Sequence, residues 1–405
     1  MEKNLTPEIR FRGFTEPWRE VLLSDCLIVS KDKNALGEFD KDDVLSVSDE
    51  YGVGNQIKLL GRSYAGKSVL GYKIIKQNDV VYTKSPLKAK PFGIIKSNQG
   101  ETGIVSVLYA VYNTTENVNA DFISLFFEPP FRINNYLRPL ISKGAKNTIN
   151  ISDEVALNGL FPLTSIEEQN KVCSFLFDIS SFIFEKREEL NILENLKEAC
   201  IERMFPHEGE TAPRLRFKGF TGDWDKNLAA NVFATTNVRN RPDLPVLSAN
   251  QDIRGMSPRS ESGYNISHDK ANEVTYKVVE PGQFVIHLRS FQGGFAHSAV
   301  KGITSPAYTI FGFKDISKHD DYFWKIIFMS KGFIKRLETI TYGIRDGRSI
   351  KFDEFSEMSF YYPSFAEQRV IGLFFRNLDK LIAAKRQEIE KLKDIKQSLL
   401  DKMFV

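Results

Sequence analysis

The sequence predicts an α+β chain: two pseudo-repeated globular α/β domains joined by two long helices that form an antiparallel coiled coil. Three observations predict it. The segment Pro7 to Trp18 returns 206 residues later as Pro213 to Trp224. A strand–turn–strand pattern follows each copy. Each half then closes in a long, charged helix whose apolar residues keep a heptad spacing.

The 405 residues allow two or three domains at about 150 residues each. With 42% apolar residues the chain can fill real cores, which excludes a disordered protein. A net charge of +3 leaves room for a nucleic-acid partner without requiring one. Three cysteines, Cys26, Cys173 and Cys200, are too few and too scattered for a disulfide framework or a zinc site. Cys173 and Cys200 lie on helical apolar patterns and are expected in the core. Met1 to Pro7 carries no apolar leader core. The longest apolar runs, such as Phe122 to Phe127 and Trp324 to Met329, fall short of the ~18 residues of a membrane span. No membrane partner is expected, and a cytoplasmic location is.

The lead-in segments read Arg10-Phe-Arg-Gly-Phe-Thr15 and Arg216-Phe-Lys-Gly-Phe-Thr221, each followed by a tryptophan, Trp18 and Trp224. Phe11, Phe14, Trp18, Phe217, Phe220 and Trp224 are expected in the domain core or at a docking surface. Val44-Leu-Ser46 returns as Val246-Leu-Ser248. Tyr72 to Tyr82 returns as Tyr276 to Ile286, and both read as strand, turn, strand around Asn78-Asp79 and Pro281-Gly282. Helical patterns start near Asp121 and Asp321, residues suited to an N-cap. They end near Gly144 and Gly343, where a glycine suits the position after a helix. Pro129-Pro130 must break the first of them.

The long helices are predicted from about Ser165 to Phe205 and from about Ala366 to Phe404. The first stripe is Val172, Leu176, Ile179, Ile183, Leu190, Leu193 and Met204. The second is Ile371, Phe375, Leu378, Ile382, Ile389, Leu392, Leu399 and Met403. Lysines interrupt both at matching places, Lys186 with Lys385 and Lys197 with Lys396. About 40 residues of helix make a rod of roughly 60 Å, longer than one globule can cover. Two such rods most simply pair with each other. His207 to Pro213 is polar, carries glycine and proline, and reads as a linker. The expected domains are 1–160, a long helix 161–205, a linker 206–212, a second domain 213–361 and a second long helix 362–405.

At this point the chain resembles the DNA-specificity subunits of type I restriction-modification systems. Pro162 with Glu168-Gln169, and Pro363 with Glu367-Gln368, are similar to the Pro-x-x-x-Glu-Gln opening of that family's conserved helices. The first copy carries two extra residues between Pro and Glu-Gln. The endings Glu202-Arg-Met-Phe205 and Asp401-Lys-Met-Phe404 and the two lead-in segments resemble the same family. The resemblance implies that each globule is a target-recognition domain reading half of a bipartite site in double-stranded DNA. It implies that the two helices set the gap between the half-sites. It also implies that two methyltransferase subunits dock on the chain, that restriction/translocase subunits join them, and that the chemistry belongs to those partners. The repeat gives a separate reason: two similar domains on an antiparallel rod are related by a pseudo-two-fold axis, which suits two separated half-sites on a duplex. Because the globules differ in sequence, the target is expected to be asymmetric.

Enzyme signatures point the other way only weakly. Gly61-Arg-Ser-Tyr-Ala-Gly66-Lys67-Ser68 matches the phosphate-binding pattern G-x-x-x-x-G-K-[ST], which needs a helix starting at the lysine. The residues that follow, Val69 to Ile75, read as strand. Glu128-Pro129-Pro130-Phe131 partly matches the Asn/Asp-Pro-Pro-Tyr/Phe motif of amino-methyltransferases but lacks its first residue, and it reads as a helix break. The histidines His207, His268, His287, His297 and His319 show no metal spacing. No catalytic residue, metal or cofactor is assigned. The alternatives are a P-loop nucleotide-hydrolysing enzyme, which would bind ATP alone, and a coiled-coil adaptor without DNA contacts.

Candidate DNA contacts are polar and basic residues on loops. In the first half these are Arg62, Tyr64 and Lys67, then Lys84, Ser85, Lys88 and Lys90, then Lys143, Lys146 and Asn147. In the second half they are Arg289, Ser290 and Gln292, then Arg345 and Arg348. Arg and Gln suit bidentate contacts to guanine and adenine, and Lys suits phosphate as well. The plain alternative for each is a solvated surface charge.

Overall fold

The computed structural model describes residues 5–143, 149–250, 255–261, 270–287, 294–340 and 350–405. It divides into two units, Met1–Arg187 with Glu388–Val405, and Glu188–Gln387. Both divisions fall inside the long helices, which run Ile166–Met204 and Phe365–Met403. These limits lie within one residue of those the heptads predict.

In the first unit, short β-branched runs build a four-stranded antiparallel sheet. Its order is Leu27–Val29, Ala110–Thr114, Val80–Tyr82, Ile95–Ser97. Side chains alternate across a strand, and here both faces are covered. Val80, Tyr82, Ala110 and Tyr112 join the large helical core. Val81 and Val111 join a smaller cluster with Leu45, Ile75 and Val105. The strands Lys73–Ile75 and Val80–Tyr82 flank a turn in which Asn78 takes φ 66°, a conformation asparagine tolerates.

The helix Ala120–Phe126 is capped by Asn119, whose side chain accepts from Asp121 N at 2.8 Å. The cap therefore sits two residues before the Asp121 the sequence favours. Pro129-Pro130 does break the helical run: Pro130 opens the next helix, Pro130–Leu137, at the position where a missing N–H costs nothing. That helix stops before Pro139, not at Gly144: Arg138 still has helical φ −51° and ψ −46°, but Pro139 has no N–H to continue the helical hydrogen bonds. Gly144 lies outside the described residues.

The second unit carries a six-stranded sheet in the order Phe233–Thr236, Thr309–Phe313, Phe284–Ile286, Phe295–Ser298, Gly255–Pro258, Leu247–Asn250. One pairing, Gly255–Pro258 with Phe295–Ser298, is parallel and the others are antiparallel. Phe284, Phe295 and Phe311 face the helical core, while Val285, Ala296 and Ile310 face a smaller cluster with Leu247 and Val279. The helix Asp321–Met329 is capped by Asp320, which accepts from Phe323 N at 2.9 Å. Asp321, the expected cap, accepts from His297 at 2.7 Å instead. A further helix runs Lys331–Ile340, and Gly343 lies outside the described residues.

The long helices complete both cores. In the first unit Phe404 packs on Phe122 at 4.9 Å and on Trp18 at 6.1 Å, and Ile9 N donates to Lys402 O at 3.0 Å. In the second unit Phe205 packs on Phe323 at 5.5 Å and on Trp224 at 6.0 Å, and Leu215 N donates to Arg203 O at 2.8 Å. In the stretch read as a linker, Thr211 O accepts from Trp224 N at 2.8 Å. Within the second unit the two long helices pack antiparallel. Lys385 meets Glu189 at 2.8 Å, Arg386 meets Glu194 at 2.5 Å and Lys197 meets Asp379 at 2.6 Å. All three cysteines are free and buried.

The Glu-Gln pairs that open the long helices act as clasps. The Glu168 carboxylate is buried and takes two hydrogen bonds from Arg10, at 2.6 and 2.8 Å, and one from Trp18 Nε1 at 3.2 Å. Glu367 takes the same fork from Arg216, at 2.7 Å twice. Gln169 and Gln368 hold backbone. Gln169 accepts from Asn119 N and donates to Asn117 O and Thr164 O. Gln368 accepts from Asp320 N and donates to Lys318 O and Pro363 O. Removing one partner of a buried ion pair costs about 3–5 kcal/mol. Arg10→Ala should therefore lower the urea unfolding stability by about 3 kcal/mol, and adding Glu168→Gln should recover part of that loss. A single variant within ~0.5 kcal/mol of the parent, an effect typical of plain surface substitutions, would show that the fork does not hold the lead-in segment.

Candidate nucleic-acid interface

Two loops of the first unit carry most of the described candidates. The first follows the short helix Gln56–Leu60, which Asn55 caps by accepting from Ile57 N and Lys58 N. Gly61 ends this helix at φ 79°. The chain then runs irregularly through Lys67 and Ser68. A phosphate-binding loop needs a helix that begins at the lysine, with amides aimed at the phosphates. Here the helix precedes the glycine, so that geometry is absent. Ser68 Oγ instead accepts from Leu70 N. Arg62 lies over the exposed Tyr64 ring at 4.5 Å, an exposed cation–π contact worth about 0.5–1 kcal/mol. Gln56 anchors the loop, accepting from Tyr64 N at 2.5 Å and donating to Ser46 Oγ at 3.1 Å. Lys67 is exposed.

The second loop joins the strands Val80–Tyr82 and Ile95–Ser97, which pair through Tyr82 and Ile95. Its four candidates split into two kinds. Lys84 sits at φ 53° and turns inward, donating to Asp153 at 2.5 Å and to Ile151 O at 2.9 Å. Lys73 reaches the same carboxylate at 2.6 Å. Burial pushes the Asp153 carboxyl up, but the two lysines outweigh it and hold it below the ordinary range. Lys90, expected on the surface, is buried and ion-paired to Asp49. Lys96 lies 3.6 Å from the same carboxylate, and burial pushes its ammonium down. Ser85 and Lys88 are exposed.

Lys143 belongs to the two-stranded ribbon Ser142–Lys143 with Ile149–Asn150. Lys146, Asn147, Arg289, Ser290, Gln292, Arg345 and Arg348 lie outside the described residues. Next to the paired strands Phe284–Ile286 and Phe295–Ser298, His287 N donates to Gly294 O at 2.9 Å. Sequence reasoning missed Asp49 and Asp153. Nothing local marks them, since their lysine partners are 41 and 69 residues away along the chain.

Among the described residues no group of His, Cys, Asp and Glu is arranged to hold a metal ion. Nor is any helix there long and apolar enough to cross a membrane. No family model matches the sequence, and no curated protein matches it. Solved structures do match over nearly the whole chain. The type I restriction-modification system S subunit from M. genitalium is 13% identical, with 99% of each chain covered and a TM-score of 0.59. A chain from a study of complex assembly and conformational transition in the type I R-M system is 18% identical. It covers 97% of this chain and 99% of its own, with a TM-score of 0.50. The chain has the fold of the M. genitalium S subunit.

Proposed function

We propose that this chain, built on the S-subunit fold, is the DNA-specificity subunit of a type I restriction-modification complex. It reads a bipartite, asymmetric target in double-stranded DNA and scaffolds two methyltransferase subunits and the restriction/translocase subunits, in the cytoplasm. The observation that carries this reading is the doubled closure of the two units. Arg10 with Glu168 and Arg216 with Glu367 are the same fork. Phe404 on Trp18 and Phe205 on Trp224 are the same seal. Two units framed alike but differing in their loops suit two different half-sites. On this reading residues 1–160 and 213–361 are target-recognition domains, and the long helices pair as a coiled-coil spacer. Arg62, Tyr64, Lys67, Ser85, Lys88, Lys143, Lys146 and Asn147 are the DNA-facing candidates of the first domain. Arg289, Ser290, Gln292, Arg345 and Arg348 are those of the second.

The test is to sequence methylated adenines in cells that carry this chain with its methyltransferase. A defined split motif is expected, and methylation that does not depend on the chain would overturn the reading. The chain alone should neither methylate DNA nor hydrolyse ATP. Lys67→Ala should leave partner-dependent methylation within a few-fold of the parent rate. Loss of an ATP-linked activity in that variant, with DNA binding intact, would instead favour a nucleotide-hydrolysing enzyme.

A further inference from the structure

Residues 83–94 form a long connection between two short strands, and connections of this length without regular structure are usually functional. The backbone of this one is held along its length. Thr83 N donates to Ile94 O at 3.0 Å, closing the base. Tyr82 donates its hydroxyl to Phe92 O at 2.6 Å. Gly93 takes φ 96°, and a Cβ there would stand 2.9 Å from the Tyr82 ring and 3.0 Å from Lys84 N. Leu87 and Lys90 exchange backbone hydrogen bonds at 3.0 and 3.1 Å. Asn134 donates to Ala89 O at 3.0 Å from the neighbouring helix. On top of this, two lysines turn inward, Lys84 onto Asp153 and Lys90 onto Asp49.

Turning two ammonium groups inward gains little stability, because desolvation offsets much of the attraction. It does fix geometry. A recognition element must be held close to its working position by neighbours that never touch the target. The two inward lysines bracket five exposed residues, Ser85 to Ala89. Lys88 makes no ion pair among the described residues, and Leu87 is 43% exposed. The tip thus presents one ammonium and one hydroxyl on a braced backbone; the Ser85 hydroxyl donates to Thr83 O at 3.2 Å and is free to accept.

We propose that Ser85 to Ala89 is a base-reading finger of the first unit. Ser85 and Lys88 face the bases, and Asp49 and Asp153, acting through Lys90 and Lys84, are positioning residues. The proposal rests on the DNA-specificity reading above. It parts from the sequence-based expectation in taking Lys84 and Lys90 out of the contact set and making them braces.

The test uses the full chain with its methyltransferase, and compares methylated motifs and melting curves for three variants. Lys88→Ala should weaken target methylation about tenfold, the usual size for one base contact. It should also admit more than one base at a position of the first unit's half-site, with melting unchanged. Asp49→Asn should broaden the same half-site. Lys90→Met with Asp49→Leu replaces the brace by apolar packing, which often preserves stability, and should keep the parent motif. Three results would overturn the proposal. One is a Lys88→Ala variant whose motif stays sharp while methylation weakens uniformly, the mark of a phosphate contact. Another is broadening that falls in the other half-site. The last is loss of the motif in the apolar pair as in Lys88→Ala, which would make Lys90 itself a contact. A parent complex without a split motif would sink the DNA-specificity reading instead, so the two failures are told apart.

Discussion

Under the proposed function, exchanging residues 24–158 for the matching stretch of a type I specificity subunit should change one half of the methylated motif completely and leave the other half as it was. The structure gives the reason in the way this stretch is held. The strand Arg19–Leu22 pairs with Leu160–Leu163, and Leu23 N donates to Gly159 O at 3.0 Å, so the cut ends lie side by side. Gln169 grips the inserted stretch through Asn119 N and Asn117 O, groups that nearly every donor sequence supplies. Arg10, Trp18, Glu168 and Phe404 stay with the frame. The donor must also supply apolar rings in place of Phe122 and Phe126 against Phe404, a partner for Lys396 in place of Glu128 and a hydrogen-bond donor to Asp401 O in place of Arg132. Nothing in 188–387 is altered. Methylated-adenine sequencing reads the result, and a change in both half-sites would end the claim that the units read independently.

The second large effect concerns distance. One heptad inserted after Lys186 and one after Lys385 should lengthen the gap between half-sites by two to four base pairs while keeping both half-site sequences. Seven residues add about 10 Å of helix, or about three base pairs at roughly 3.4 Å each. A whole heptad returns the apolar stripe to its register. In the antiparallel pairing of the second unit, both Lys197–Asp379 and Lys385–Glu189 survive the paired insertion. Arg386–Glu194 is separated by a heptad, but this pair is half exposed, and such pairs contribute at most about 1 kcal/mol. An active variant with the original gap would mean that the helices do not set the spacing.

What the sequence disclosed follows a physical division. The long helices were legible to within a residue because a heptad sustained over many turns has few alternatives. The short helices were not. Asn119 and Asp121, like Asp320 and Asp321, are all good caps, and the choice depends on which side chain reaches a free amide. Pro139 was a better stop signal than Gly144, and the structure obeys it. The Glu-Gln pairs were visible as a motif, but their task was not, because Arg10 and Glu168 lie 158 residues apart. Lys90 shows the same limit. A lysine on a polar loop reads as surface, and only the fold brings Asp49 to it.

Phe404 in the core of the first unit has a consequence for synthesis. Residues 5–187 leave the ribosome early, yet their core lacks Leu400, Met403 and Phe404 until the last turn of the second long helix is made. The intervening 188–387 can close completely while the earlier segment waits. At about 5–20 residues per second, roughly 200 residues of chain hold that core open for some 10–40 s. During this time the Trp18, Phe122 and Phe126 rings lack the ring that covers them. The nascent first unit therefore exposes apolar core for longer than the second, although it is the first to emerge.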